Sequence, residues 1–183
     1  MSCAQCPFPA FSRSASRLRR GFTLIEILSV VVILGIASAI IVPQLSSRDD
    51  LRCAAAARAL MGDLLYAQSR SIALGKMQYV QFNTTTNTYQ VLDAVNPNNV
   101  INNPVTQSPY TVTVGTGYLV HVGISTASFD GNTTVAFDPM GVPYSWSSGA
   151  GTVALTAGSI VFQAGTNKKT ITVGPYSGEI KIN

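Results

Sequence analysis

Charge is scarce in this chain. Asp, Glu, Lys and Arg make up 11% of 183 residues, and His121 is the sole histidine. No Ser-His-Asp or Cys-His arrangement can therefore be completed through a second histidine, and a multi-histidine metal site is excluded. His121 itself falls in the alternating run Tyr118-Leu119-Val120-His121-Val122, which predicts a strand residue facing solvent or a hydrogen bond. The acids beyond residue 76 are Asp93, Asp130, Asp138 and Glu179, far apart in sequence and forming no D-x-D calcium loop. Asp130-Gly131-Asn132 and Asp138-Pro139 read as turn chemistry. Gly165 to Thr170 lacks the spacing of a phosphate loop and precedes a strand, so it reads as a hairpin turn. Cysteine is scarce too. Cys3-x-x-Cys6 has no second pair to complete a zinc site, and Cys53, in an alanine-rich stretch, reads as a small buried hydrophobe. No catalytic residue, metal or cofactor is expected.

The formal charge of +4 is unevenly placed. Arg13, Arg17, Arg19 and Arg20 crowd the start, ahead of a 21-residue stretch, Phe22 to Val42, whose single ionisable side chain is Glu26. At about 1.5 Å per residue such a run spans the roughly 30 Å hydrocarbon core of a bilayer, so it predicts a membrane helix. The arginines orient it with the amino terminus in the cytoplasm. A carboxylate in such a segment costs roughly 2.5 to 3.5 kcal/mol and usually faces a partner. Ala37-Ser38-Ala39 offers a rival signal-peptidase site that would release a soluble chain from Ile40. The apolar run continues past it, however, and that reading leaves Glu26 unexplained. Gly35 and Ala39 form a small-x-x-x-small pair, weak support for close helix approach.

Gly21-Phe22-Thr23-Leu24-Ile25-Glu26, followed by the apolar run to Pro43, resembles the type IV prepilin signature. The resemblance implies cleavage after Gly21 by a membrane aspartyl protease, the prepilin peptidase, and methylation of the new amino terminus at Phe22. It also implies that Glu26 pairs with the terminal amine of a neighbouring subunit during assembly. An amine at a helix start adds to the positive end of the helix dipole, which suits that pairing. Removing the leader leaves eight basic against eight acidic side chains, so the pI of about 9.1 describes the precursor. Two features depart from the pattern: Ser29 places a hydroxyl where the family is usually apolar, and the 21-residue leader is longer than the commonest ones.

Four segments follow: a leader (1–21), a transmembrane and assembly helix (22–46), an amphipathic helix (47–75) and a β-sheet domain (76–183). Pro43 removes a helix hydrogen bond and is expected to kink or loosen the first helix. Leu51, Ala54, Met61, Leu64, Leu65, Gln68 and Ile72 recur at helical spacing and predict the stripe that packs on the sheet, with Arg48, Arg52, Asp63 and Arg70 off it. Phe22 to Leu74 would then form one helix of about 80 Å, stopped at Gly75. From Met77 the period becomes two. Met77–Phe82 and Tyr89–Leu92 predict a hairpin; further strands are expected at 110–114, 118–124, 133–137, 152–155, 159–162, 170–173 and 179–182. Residues 96–109, with three prolines and five asparagines, predict an exposed loop. The fold class is α+β and pilin-like: a long helix packed on a carboxyl-terminal antiparallel β-sheet domain.

Residues 55–90, Val135-Ala136-Phe137-Asp138-Pro139-Met140-Gly141 and Gly178-Glu179-Ile180-Lys181-Ile182 resemble the GspH and FimT group of minor pseudopilins. The expected function is that of a structural subunit, held in the bacterial inner membrane with its β domain in the periplasm, then built into a type II secretion pseudopilus or type IV pilus. Its partners would be prepilin peptidase, other pilin-like subunits, the inner-membrane assembly platform and, before assembly, lipid. The alternatives are a DNA-binding minor pilin using Lys168, Lys169 and Lys181, and a signal-anchored binding protein that does not assemble. Three lysines in an otherwise neutral domain imply a shallow salt dependence, so nucleic acid ranks behind assembly.

Overall fold

A computed structural model describes residues 21–44, 48–95 and 98–183, with side chains in the first segment described as far as Ser38. The leader, Cys3-x-x-Cys6, the helix junction at 45–47, and Asn96 and Pro97 lie outside the described residues. Two compact units divide the chain at Val42/Pro43.

In the first unit, α1 (Leu24–Gln44) is an apolar helix. Thr23 caps it: the Glu26 amide donates to Thr23 Oγ1 (3.3 Å), and the Thr23 amide points back at Glu26 Oε2 (3.5 Å). This is the reciprocal geometry of a capping box, stretched at its second bond. Ser29 donates to the Glu26 carbonyl at 2.8 Å, so its hydroxyl is satisfied within the helix. Among the described residues no helix is long and apolar enough to cross a membrane; in sequence the apolar run continues beyond the described side chains to Val42. Pro43 stands within α1 and its side chain is not described.

The second unit opens with α2 (Arg48–Leu74), which ends in a Schellman cap. Gly75, at φ +62°, donates to the Ile72 carbonyl (3.4 Å), and Lys76 donates to that of Ser71 (3.2 Å). Its buried side is Cys53, Ala56, Ala57, Leu60, Leu64, Ala67 and Ser71. This corrects the expected stripe, of which only Leu64 is fully buried, while Met61 packs half-buried against the core and Gln68 is half-buried. Leu51, Leu65 and Ile72 are exposed. The reason is steric: a helix lying close on a sheet presents small residues where its backbone approaches, and Cys and Ala were discounted by a search for large apolar side chains. Cys53 is indeed fully buried.

The strands form two antiparallel sheets, in keeping with the expected antiparallel β domain. β1 (Gln78–Asn83), β2 (Thr88–Ala94), β3 (Asn99–Val100), β4 (Thr111–Thr113), β6 (Thr134–Phe137), β7 (Pro143–Ser147) and β8 (Gly151–Ala154) make a seven-stranded sheet in the order β3-β2-β1-β6-β7-β8, with β4 also on β2. β5 (Gly123–Phe129), β9 (Gly158–Ala164), β10 (Asn167–Val173) and β11 (Ile180–Ile182) make the other, ordered β11-β10-β9-β5. α2 packs against strands of both. The sheets share one core, where Phe82 of β1 meets Phe129 of β5 with ring centroids 5.6 Å apart.

Several boundaries differ from expectation. Tyr118–Ile124 is not a strand: a 3₁₀ turn occupies Gly117–Leu119, β5 starts at Gly123, and His121 sits exposed in the intervening turn at φ +74°. Glycines at 115, 117 and 123 break the alternation there. The 96–109 segment holds β3 and buries Ile101, so it is not wholly an exposed loop. β7 was missed because Pro143 and two serines mask its alternation. By contrast, Gly165-Thr166 does form the two-residue turn joining β9 to β10, with Ala164 paired to Asn167.

Candidate functional site

Two places carry the residues that the sequence singles out. The first is the start of α1. Gly21 and Phe22 precede the helix in extended chain, nothing in the described structure lies within 4 Å of where a Cβ on Gly21 would stand, and Phe22 is 79% exposed. Glu26 is exposed four residues further on, its carboxylate held, among the described residues, only by the long contact to Thr23. The Thr23-x-x-Glu26 capping box was legible in sequence as a Thr-x-x-Glu pattern, but attention to the membrane cost of Glu26 passed over it.

The second is a junction at the far end of α2, where the three motif segments meet. Gln68 Nε2 donates to the Gly141 carbonyl (2.9 Å) and lies 3.4 Å from that of Ser177. One side-chain amide thus ties α2 to the β6–β7 turn and to the β10–β11 turn. Asp138 shapes the first turn by accepting the Met140 and Val142 amides, both at 2.8 Å. Glycine is required on both sides of the clasp. Gly141 (φ +82°) and Gly178 (φ +64°) take left-handed backbone, and a Cβ on Gly178 would stand 2.5 Å from Gln68 Nε2 and 3.0 Å from the Gly141 carbonyl oxygen. The segments that carry the resemblance to a family thus meet at one junction in the fold.

Asp63 was expected off the packing stripe. Instead it accepts hydrogen bonds from Tyr89 Oη (2.5 Å) and Tyr110 Oη (2.9 Å), with Tyr66 stacked on Tyr110 at 5.5 Å. Burial pushes its carboxyl pKa above the usual range, and the two hydroxyls pull the other way. Both tyrosines are raised, first by burial and then by the Asp63 charge. The contact pins the segment ahead of β4 onto α2. Sequence offered no sign of it, since both tyrosines lie far along the chain from Asp63.

The three lysines do not form one surface. Lys169 reaches Asp50 at 3.6 Å and Lys181 reaches Glu179 at 3.1 Å. Lys168 is exposed without an ion-pair partner among the described residues, and alternation along β10 turns it away from Lys169. Among the described residues no three His, Cys, Asp or Glu side chains gather into a metal-ligating group.

An apolar amino-terminal helix, followed in sequence by a helix packed on antiparallel sheets, defines a pilin-like protein. Residues 16–42 match the prokaryotic N-terminal methylation motif. Residues 56–177 match the family described as type II transport protein GspH, and the chain belongs to that family. Over 34 residues it is 65% identical to the type II secretion system core protein G of Pseudomonas aeruginosa, which is 19% of this chain and 24% of that protein. The chain thus spans about a quarter of that relative's length. The fold is similar to that of the minor pseudopilin EpsH of the Vibrio cholerae type 2 secretion system, with a TM-score of 0.50 at 10% identity over 72% of this chain and 96% of the other. The type IV minor pilin FimU of Pseudomonas aeruginosa gives 0.45 at 12% identity, over 72% and 87%.

Proposed function

We propose that this protein is a minor pseudopilin subunit, cut after Gly21 and methylated on Phe22 by prepilin peptidase. It is held in the inner membrane by α1, with its β domain on the periplasmic side, and then assembled into a type II secretion pseudopilus. The same apolar helix serves first as a lipid anchor and then as the fibre core. In the fibre Glu26 meets the Phe22 amine of an adjoining subunit, and Pro43 gives the helix a place to loosen as it leaves the bilayer.

The observation that carries this reading is the exposed Glu26 carboxylate at the start of an otherwise apolar helix, with only a stretched bond of its own among the described residues. An unpaired acid in that setting is costly, and a neighbour's terminal amine relieves the cost. Stripping one partner from a buried ion pair costs about 3 to 5 kcal/mol. Glu26→Ala should therefore be processed and membrane-inserted but enter fibres poorly, as read by pull-down with other pseudopilins and by microscopy. Normal incorporation would refute the pairing. The dispersal of the three lysines gives no support to a DNA-binding reading.

A further inference from the structure

The assembly reading leaves one large surface without a role: the face of the seven-stranded sheet turned away from α2. Strand pairing places Tyr79, Ala136 and Tyr144 in one row across it, with Ala136 buried between the two half-buried tyrosines. Alternation along β1 and β7 adds Gln81 and Trp146 to the same side, and Gln90 stands opposite Gln81. No outward position of β1, β2, β6 or β7 is Asp, Glu, Lys or Arg. Charge is scarce throughout the chain, at 11% of its residues, and these outward positions carry none, so the face offers a ligand no ion pair.

At its hairpin end the face opens into a cleft of about 420 Å³, within the size range of small-molecule sites. Gln81, Asn83, Thr84, Thr88, Gln90 and Thr133 line it. Much of their hydrogen-bonding capacity is unused. Gln90 gives Nε2 to Thr111 Oγ1 (3.1 Å) and keeps Oε1, while Asn83 spends Oδ1 on the Thr85 and Thr86 amides and keeps Nδ2. Gln81, Thr84 and Thr133 side chains bond to nothing else among the described residues.

This lining selects a ligand class. Without a charged group it cannot balance a phosphate or carboxylate, and a purely apolar ligand would strand its amides. A neutral molecule rich in hydroxyls can both donate to and accept from these groups, and its C–H faces suit the half-buried rings of Tyr144 and Trp146. A polypeptide partner would more readily use a sheet edge, where backbone groups are open, than this face. We propose that the face binds a neutral oligosaccharide, its hydroxyls held by the Gln81, Asn83 and Gln90 amides and its apolar ring faces lying over Tyr144 and Trp146. Two strand spacings, about 9.5 Å, separate Gln81 from Trp146, so the ligand is longer than a monosaccharide. The proposal does not depend on whether the chain enters a fibre.

Trp146 is the single tryptophan, so its emission reports on this face alone. The full chain, in a detergent without a sugar headgroup, would be titrated with cellohexaose, maltohexaose, chitohexaose and, as controls, glucose and inorganic polyphosphate. Retention on cellulose, starch and chitin would distinguish a polymer from a soluble sugar as the natural source. A saturating shift with one hexasaccharide but neither control is expected, and Gln81→Ala with Gln90→Ala should weaken it by about tenfold. Should that pair unfold, Thr84→Lys sets a charge at the exposed rim and should weaken binding similarly. No shift and no retention with any sugar, or equal affinity in both variants, would overturn the proposal. So would emission that changes with protein concentration while the mass doubles in light scattering, which would assign the face to a second copy.

Discussion

Gly178→Ala is the sharpest test of the junction at Gln68. The added methyl forces a non-glycine residue into left-handed backbone at φ +64°, costing about 1 kcal/mol. It also lands 2.5 Å from Gln68 Nε2, and because that atom ends a flexible side chain, the amide can swing away. Swinging sacrifices its bond to the Gly141 carbonyl at 2.9 Å, worth about 1 kcal/mol and more if the carbonyl is left without a partner. The methyl still presses on the Gly141 oxygen at 3.0 Å. The sum is about 2 to 4 kcal/mol, a large part of a typical stability of about 5 to 15 kcal/mol. At about 2 to 4 °C per kcal/mol for a domain of this size, the melting temperature should fall by about 4 to 16 °C. Thermal unfolding by circular dichroism would measure this in wild type, Gly178→Ala, Gln68→Ala and the double variant. In the Gln68→Ala background the clash partner is gone, so the glycine change should cost about 1 kcal/mol less than alone. Strict additivity of the two changes would refute the account.

Other substitutions probe other parts of the molecule. Leu64→Ala, at a fully buried position between α2 and the sheets, should cost about 2 to 5 kcal/mol in urea unfolding, whereas Leu65→Ala, one residue on and exposed, should cost little. Because burial raises the Asp63 carboxyl pKa in the folded state, stability from this group is complete below the unfolded value near pH 4 and declines as pH rises through the folded one. Asp63→Asn should remove that decline, and an unchanged pH profile of unfolding would show that the group does not titrate as described. Asp130 behaves oppositely. The Thr156 hydroxyl and backbone amide hold its pKa down, so its contribution is present above about pH 4 and lost as pH falls; Thr156→Ala should flatten this acid limb. Replacing Gly21 by a bulkier residue should leave the leader attached, seen as a precursor band on gels; normal processing would count against cleavage there.

The pattern of residues alone was enough for whatever depends on local spacing. The apolar run after the arginines gives a helix with a cleavage signature because both are contiguous features. Gly75 marks the end of α2 because only local backbone conformation is at stake there. The Met77–Leu92 hairpin and the Gly165-Thr166 turn were readable because each pairs neighbours in sequence. Tertiary structure decided the rest, wherever the energy of a residue depends on partners far along the chain. Which side of α2 is buried turned on how closely the backbone approaches two sheets, a demand for small residues that hydrophobicity does not encode. Asp63 is a buried acceptor because two distant tyrosines arrive beside it. Gln68 is a clasp because Gly141 and Ser177 converge on it, and the neutral face carrying Tyr79, Gln81 and Trp146 exists only once strands remote in sequence are set in register.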